Sequence, residues 1–430
     1  MKFSRFVALL TILAACCVSS VAAQAEQVTI SIMSHLLGPD GGWIGESIEA
    51  DFLPHHPNIN VEYLESGGWA TIIEQVPVRH AGGVAPDLFM ITEGETTITL
   101  AKEFGLDLTP YLARDNVDTS VWFPGALDAF HFEGKQLGLP HHINPELHFY
   151  NKMVFASHGF EDPLAYAARG EWTWDRVEKI GRTITRDVDG DGEPDIFALA
   201  SGGWSVMWFE VLQQFGGDVI RNNRLVLEEP NAQAALEFLA ASNFQNGGWW
   251  YTGPEASNKF FVRNEAALRP LGYWILNTYS PAEHPYDLAP KPIVSAHRVP
   301  EGSGTGSQAA ILGTHGFVVS RQTEHPAEAY ELAKFLATVH QKDVATHLVP
   351  VTRDAILSDT FIQRHPEINV EVLLSTSNAA APKPHSYTMA PLEVRQMIEQ
   401  AVAQIITGEK VASAAIAEIT DAVNAILSSR

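Results

Sequence analysis

At 430 residues the chain is longer than one hydrophobic core usually serves, so two or three globular units are expected. Its 46% apolar and 18% charged content, without low-complexity tracts, excludes intrinsic disorder. A net charge of −23, from 51 acidic against 28 basic residues, leaves no surplus of cations for a phosphate backbone or an anionic membrane surface, which removes nucleic acid from the expected partners.

The chain opens with Lys2 and Arg5, an apolar run from Phe6 to Ala15, and the small-residue pattern Val21-Ala22-Ala23. That is the pattern of a secretion signal, assigned to residues 1–25. The apolar run is near ten residues, short of the roughly 20 needed to span a bilayer. Cys16 and Cys17 both fall in this segment, so its removal leaves no thiol for disulfides, nucleophiles or zinc-thiolate sites. Leu13-Ala14-Ala15-Cys16 also resembles a lipidation box, which would instead anchor the chain at a lipidated Cys16. The expected location is periplasmic in either case.

Beyond the leader, Val28-Thr29-Ile30-Ser31-Ile32 alternates with the period of a strand. After Pro39-Asp40-Gly41-Gly42, the residues Ile44, Ile48 and Phe52 repeat at spacing four and predict a helix, followed by a strand over Asn60 to Leu64. A helix over 69–80, with Trp69, Ile72, Ile73 and Val76 on one face, leads to a buried strand at Asp87-Leu88-Phe89-Met90-Ile91. This β-α-β alternation predicts a mostly parallel sheet. Trp172, Trp174, Trp204, Trp208, Trp249, Trp250 and Trp274 crowd the centre of the chain, predicting a second lobe with aromatic material near its working face.

The run Phe52 to Val61, Ala85-Pro86-Asp87-Leu88, Gly138-Leu139-Pro140 and Phe149-Tyr150-Asn151-Lys152 belong to one ordered set of motifs. It continues with Trp172-Thr173-Trp174-Asp175, Asp187 to Gly192, Phe261 to Ala267 ahead of Gly272-Tyr273-Trp274, and Ala327 to Leu336. In this order, over nearly the whole mature chain, they resemble the family 1 extracellular solute-binding proteins of ABC transporters, which include maltose-binding and glycerol-3-phosphate-binding proteins. The resemblance implies an α/β, two-lobed periplasmic-binding-protein fold of type II-like form, with hinge-linked lobes and the ligand cleft between them. Mapped here, it places crossings near His142 to Pro145, Gly313 to Gly316 and Pro350 to Arg353. One lobe then comprises 26–142 plus 313–350, and the other 143–312 plus 351–430. It further implies a monomer without cofactor that closes on its ligand and presents the closed form to the transmembrane permease subunits of an importer.

A carbohydrate offers C–H faces that stack on flat rings and hydroxyls that need polar partners once buried. Trp43 and Trp69 stand in or beside Gly-rich loops after strands, at the end where open α/β sheets bind ligands. The resemblance adds Glu93, just past the strand ending at Ile91, and Tyr273 and Trp274 after Gly272. His141, His142 and Asn144 lie at the first crossing, His315 at the second and Arg353 at the third. Trp204 follows Ser201-Gly202-Gly203 in a loop, whereas Trp208, four residues on, reads as a packing residue. An Arg in the cleft would favour an acidic or phosphorylated ligand.

Three other readings compete with carbohydrate capture. A non-sugar solute such as an amine, peptide or phosphodiester would suit the same fold. An exported glycosidase could use Glu93 and Glu95, although no G-x-S-x-G, H-E-x-x-H or P-loop pattern is present. A zinc-capture protein could use His141, His142 and His148. Finally, Asp187, Asp189, Asp191 and Asp195, with Gly192 at the sixth position, follow a calcium-loop spacing, but Ala198 holds the twelfth position in place of Glu. A turn rich in Asp and Gly is the structural alternative.

Overall fold

The computed structural model describes residues 27–38, 40–92, 97–190, 194–202, 206–279, 283–300, 309–364, 366–381, 385–388 and 390–429. The predicted leader and its cysteines lie outside the described residues. A ten-stranded mixed sheet organises the chain. Its strands are β1 (Val28–Ser34), β2 (Ile59–Glu65), β3 (Leu88–Thr92), β4 (Leu139–Asn151) and β5 (Phe197–Ser201), then β6 (Trp250–Thr252), β7 (Ala266–Gly272), β8 (Tyr286–Ala289), β9 (Leu312–Val319) and β10 (Val349–Pro350). They run β6-β5-β7-β4-β9-β3-β1-β2 across the sheet, with β8 and β10 also paired to β4.

The first elements follow the apolar periodicity closely. In β1 Val28, Ile30 and Ile32 are buried while Thr29 is exposed. Ile44, Ile48 and Phe52 are all buried, but they do not share one α-helix. Helix α1 (Gly42–Ser47) widens into a π turn over Ile48–Phe52, which a spacing of four could not reveal. Helix α2 (Trp69–Ala81) carries Pro77 within it and buries Ile72 and Val76.

The sheet is not mostly parallel as expected. β1 pairs in parallel with β2 and β3, and β5 with β6 and β7, but every pairing made by β4 and β9 is antiparallel. The reason is the role of β4, which belongs to both halves of the sheet. Its first part, Leu139–Pro145, pairs with β9, while Glu146–Tyr150 pairs with β7 and His148–Asn151 with β8. Side chains alternate along it, as a strand requires. Ile143, Leu147 and Phe149 are fully enclosed on one face, and His142, Asn144, Glu146 and His148 form a polar row on the other.

The central tryptophans are mainly core, correcting the expectation that they line a working face. Trp172, Trp174, Trp208, Trp249 and Trp250 are all buried, and Trp174 stacks on Trp250 with centroids 5.8 Å apart. Around them pack helices α3 (Trp174–Ile184), α4 (Val206–Gln214), α5 (Pro230–Ser242), α8 (Leu392–Ile406) and α9 (Ala412–Ser428). Helices α6 (Pro326–Ala337) and α7 (Gln341–His347) instead cover the side of the sheet that holds β1 and β9.

A buried ionic group ties α4 to β4. Glu210 of α4 accepts from His148 Nε2 at 3.0 Å and from Lys291 Nζ at 2.5 Å, and also from Gln214. Burial opposes the charge on Glu210, but Lys291 and His148 outweigh it and hold the carboxyl below its ordinary range. Removing one partner would strand the other charge away from water. Glu210→Ala is therefore expected to cost about 3–5 kcal/mol.

The pairing of β9 with β4 shifts register between His315 and Gly316, and a Cβ at Gly316 would come within 2.6 Å of the Phe130 ring. Gly316→Ala should destabilise by about 1–3 kcal/mol through overpacking. Urea unfolding of both variants would show a lower midpoint at an unchanged slope. A wild-type midpoint for either would refute the packing described for it.

Candidate ligand-binding site

Two sets of parallel strands aim their carboxyl ends at one short stretch of β4. β3 ends at Thr92, which lies opposite His315 of β9, and His315 lies opposite His142 of β4. On the other side β7 ends at Gly272, opposite Glu146. From His142 to Glu146 is about 13 Å of extended chain. Ligands of open α/β sheets bind outside the carboxyl ends of strands, so this window is the floor of the candidate site.

Several polar groups converge there. His315 stacks on His142 at 4.1 Å and meets Thr92 Oγ1 through Nε2 at 3.3 Å. Asn144 of β4 and Gly313 and His315 of β9 are half-buried, while Ile143, Pro145, Leu312 and Thr314 beside them are closed. Above Glu146 stands Trp274, the exposed member of the described tryptophans at 43%. Its indole folds back over Gly272, where an added Cβ would lie 2.7 Å from the ring and 3.6 Å from Glu146 Oε1. Glycine is therefore required beneath the ring. An exposed indole, a carboxylate, an amide and neutral imidazoles in one window can stack on a flat solute and exchange hydrogen bonds with it.

The structure sorts the residues singled out from sequence. His142, Asn144, His315 and Trp274 come together in this window. Tyr273 does not present its ring. It is 3% exposed and stacks on Phe361, so of two adjacent aromatics it is the second that faces outward. Trp43 is held against His340 and His347 at either end of α7, at 5.1 and 4.4 Å. Arg353 is exposed at the start of a short helix, Arg353–Ile356. Trp208 is core. Glu93, Glu95 and Trp204, and the side chain of Trp69, lie outside the described residues. Sequence reasoning missed Glu146, although the period-two row His142, Asn144, Glu146, His148 was available to mark it.

The structure separates the zinc candidates but gathers three of the calcium-loop carboxylates. His148 stands about 20 Å along β4 from His142 and is engaged with Glu210. Among the described residues no group of three or more metal-ligating side chains includes a histidine. Asp187, Asp189 and Asp195 do converge, with oxygens within 4.8 Å of one another. Their carboxylates accept backbone amides within the turn, Val188 N to Asp195 at 2.6 Å and Gly190 N to Asp187 at 2.5 Å. Ala198, the position a calcium loop would fill with Glu, is enclosed in β5, and Asp191 lies outside the described residues. The arrangement is that of an Asp-rich turn.

Beneath the floor runs a chain of rings. His35 contacts His315, His142 meets His141 through their Nδ1 atoms at 2.9 Å, and His141 stacks on His340 at 5.2 Å. Burial depresses all of them, and at His141, His142 and His315 neighbouring histidines depress them further. His141 and His142 are held well below the ordinary imidazole value, and His315 is pulled down to about 3 by burial and by His35. At His340 burial prevails over the opposing pull of Asp343.

The fold is that of a two-lobed α/β binding protein. The chain belongs to the bacterial extracellular solute-binding protein family, which it matches over residues 38–342. It is 25% identical over 323 residues to an uncharacterised ABC transporter extracellular-binding protein of Pyrococcus horikoshii, covering 70% of this chain and 68% of that one. Among solved structures, the sugar-binding protein MalE of Xanthomonas citri superposes with a TM-score of 0.73 at 19% identity, over 94% of this chain and 98% of that one. UgpB of Mycobacterium tuberculosis in complex with glycerophosphocholine gives 0.71 at 17%, over 93% and 98%. An ABC substrate-binding protein of Listeria monocytogenes in complex with cycloalternan gives 0.71 at 18%, over 94% and 100%. These are binding proteins, and no helix among the described residues is long and apolar enough to cross a membrane.

The buried histidines make stability depend on pH. Each is neutral when folded but regains the ordinary value of 6.5 when unfolded, so below pH 6.5 the unfolded chain binds more protons. The stabilisation is complete above pH 6.5 and is lost progressively towards the folded values. His315 alone accounts for about 2 kcal/mol by pH 5. Urea midpoints should fall between pH 6.5 and 5, and His315→Gln should flatten that slope; a slope identical to wild type would exclude His315 as a contributor.

Proposed function

We propose that this ABC substrate-binding protein captures a carbohydrate, a mono- or oligosaccharide or a polyol derivative, between its lobes. It then delivers the ligand to the membrane permease of the importer. The observation that carries this reading is the exposed indole of Trp274 set over Glu146, with Asn144 a short step along the same face of β4. The ring offers a stacking face for C–H surface, and the carboxylate and amide offer acceptors and donors for hydroxyls. The resemblance of the fold to MalE supports the same reading.

The lobes we assign are 26–142 with 313–350 and 143–312 with 351–430. Ligand drives closure only by binding the closed form more tightly than the open one. Residues 1–25 are assigned as the export leader that brings the protein to the periplasm. A second reading is favoured by the same pair of groups: an indole beside a carboxylate also suits a cationic headgroup, through the ring face and the opposite charge.

The test is a thermal-shift and calorimetric panel of mono- and disaccharides, polyols, glycerophosphocholine and simple amines on the mature protein. A ligand that binds only the folded state raises the melting temperature. A carbohydrate should give the largest shift and be recovered unchanged. Trp274→Ala should weaken that ligand about 10- to 100-fold, equivalent to about 1.4–2.8 kcal/mol. A shift confined to cationic solutes would transfer the site to the second reading. Full affinity in Trp274→Ala, or a chemically altered ligand, would refute capture at this ring.

A further inference from the structure

The lobe assigned to 143–312 with 351–430 contains a second cavity that the crossing window does not include. It has a volume of about 490 Å³ and lies between α4, α5 and α8 at the carboxyl ends of β5 and β6. One side of its wall is apolar, made by Met207, Trp208, Leu239, Trp250, Val402 and Ile406, and polar residues complete the rest. Three of the polar groups around it are engaged within the protein. Trp250 Nε1 donates to Ser201 Oγ at 2.8 Å, Asn243 Oδ1 accepts from Gln245 N at 2.9 Å, and Glu399 accepts from the Tyr387 hydroxyl at 3.0 Å.

The wall chemistry selects its occupant. A sugar ring placed there would bury hydroxyls against Leu239, Val402 and Ile406, and each unpartnered hydroxyl costs about 1–3 kcal/mol. An aryl or branched alkyl group has no such penalty and gains about 25 cal/mol for each Å² removed from water. The volume lies within the roughly 300–1,000 Å³ of small-molecule sites.

The cavity lies one strand away from the candidate site. β5 and β7 pair with Leu199 opposite Leu268, and continuing that register brings Ser201, which lines the cavity, level with Pro270. Gly272 and the Trp274 ring follow two residues on, about 7 Å along the strand, and β7 is one strand spacing of about 4.8 Å away. A single ligand of moderate length can therefore reach both.

We propose that this cavity receives an apolar group carried by the captured solute, so that the preferred ligand is an amphipathic glycoside with an aryl or branched alkyl aglycone. The proposal rests on the carbohydrate reading for the window and adds a class of substituent to it.

The test uses calorimetry on the mature protein, with matched methyl and 4-methylumbelliferyl glycosides of the best-binding sugar and with 4-methylumbelliferone alone. The aryl glycoside should bind at least about tenfold more tightly than the methyl glycoside. Ala403 and Thr407 line the cavity and are exposed, so Ala403→Phe and Thr407→Phe fill the mouth without disturbing the core. In either variant the ratio should fall to about one. A ratio near one in the wild type, or a wild-type ratio in both variants, would overturn the proposal. If no glycoside binds, the carbohydrate reading fails and 4-methylumbelliferone decides the cavity separately. Saturable binding lost in the filled variants supports an apolar site, and no binding excludes it.

Discussion

A β-strand has two faces, and in this protein one strand uses both of them along its whole length. β4 contributes Ile143, Leu147 and Phe149 to the core while carrying His142, Asn144, Glu146 and His148 on its other side. The same thirteen residues join the two halves of the sheet, since β9 pairs with the first part and β7 with the second. Core continuity and site composition are thus written into alternate positions of one segment. A slip of one residue would exchange them, setting the polar row against the apolar core and the apolar residues among the polar partners.

That constraint explains where the costly features lie. Glu210 and Lys291 are charged groups taken out of water, and they are affordable only because His148, fixed on the polar face of β4, completes the group. The depressed histidines arise at the other end of the same row, where His141 and His142 meet His315 and His340 with little solvent between them. In both places polar side chains are buried because the strand that carries them must be buried.

The sequence made the first lobe's elements legible wherever burial followed a simple period. β1 and β3 are heavily buried strands, and Ile72 and Val76 mark the inner face of α2. It could not show the π turn after α1, because spacing four describes both geometries. The tryptophan cluster misled for a physical reason: composition records that aromatics are close in the chain, but the choice between core and cleft depends on which helices cover them. Trp174, the first residue of α3, stacks on Trp250 and meets Phe238 of α5 edge to face. The candidate site corresponds to the crossings expected from the sequence as a region, and less so to the individual residues. Tyr273 and Trp274 are indistinguishable in sequence, and only the turn that follows β7 sends one inward and the other outward.

Gly272 touches no solute in the arrangement described, yet the position of the Trp274 ring depends on it. The space that a single methyl group would occupy is what allows the indole to lie back over its own backbone. Selectivity in such a site can therefore drift through changes beneath the recognition surface as readily as through changes on it. A relative with any side chain at this position would have to hold its aromatic ring elsewhere, and so would meet a ligand of different shape with the same set of contact residues.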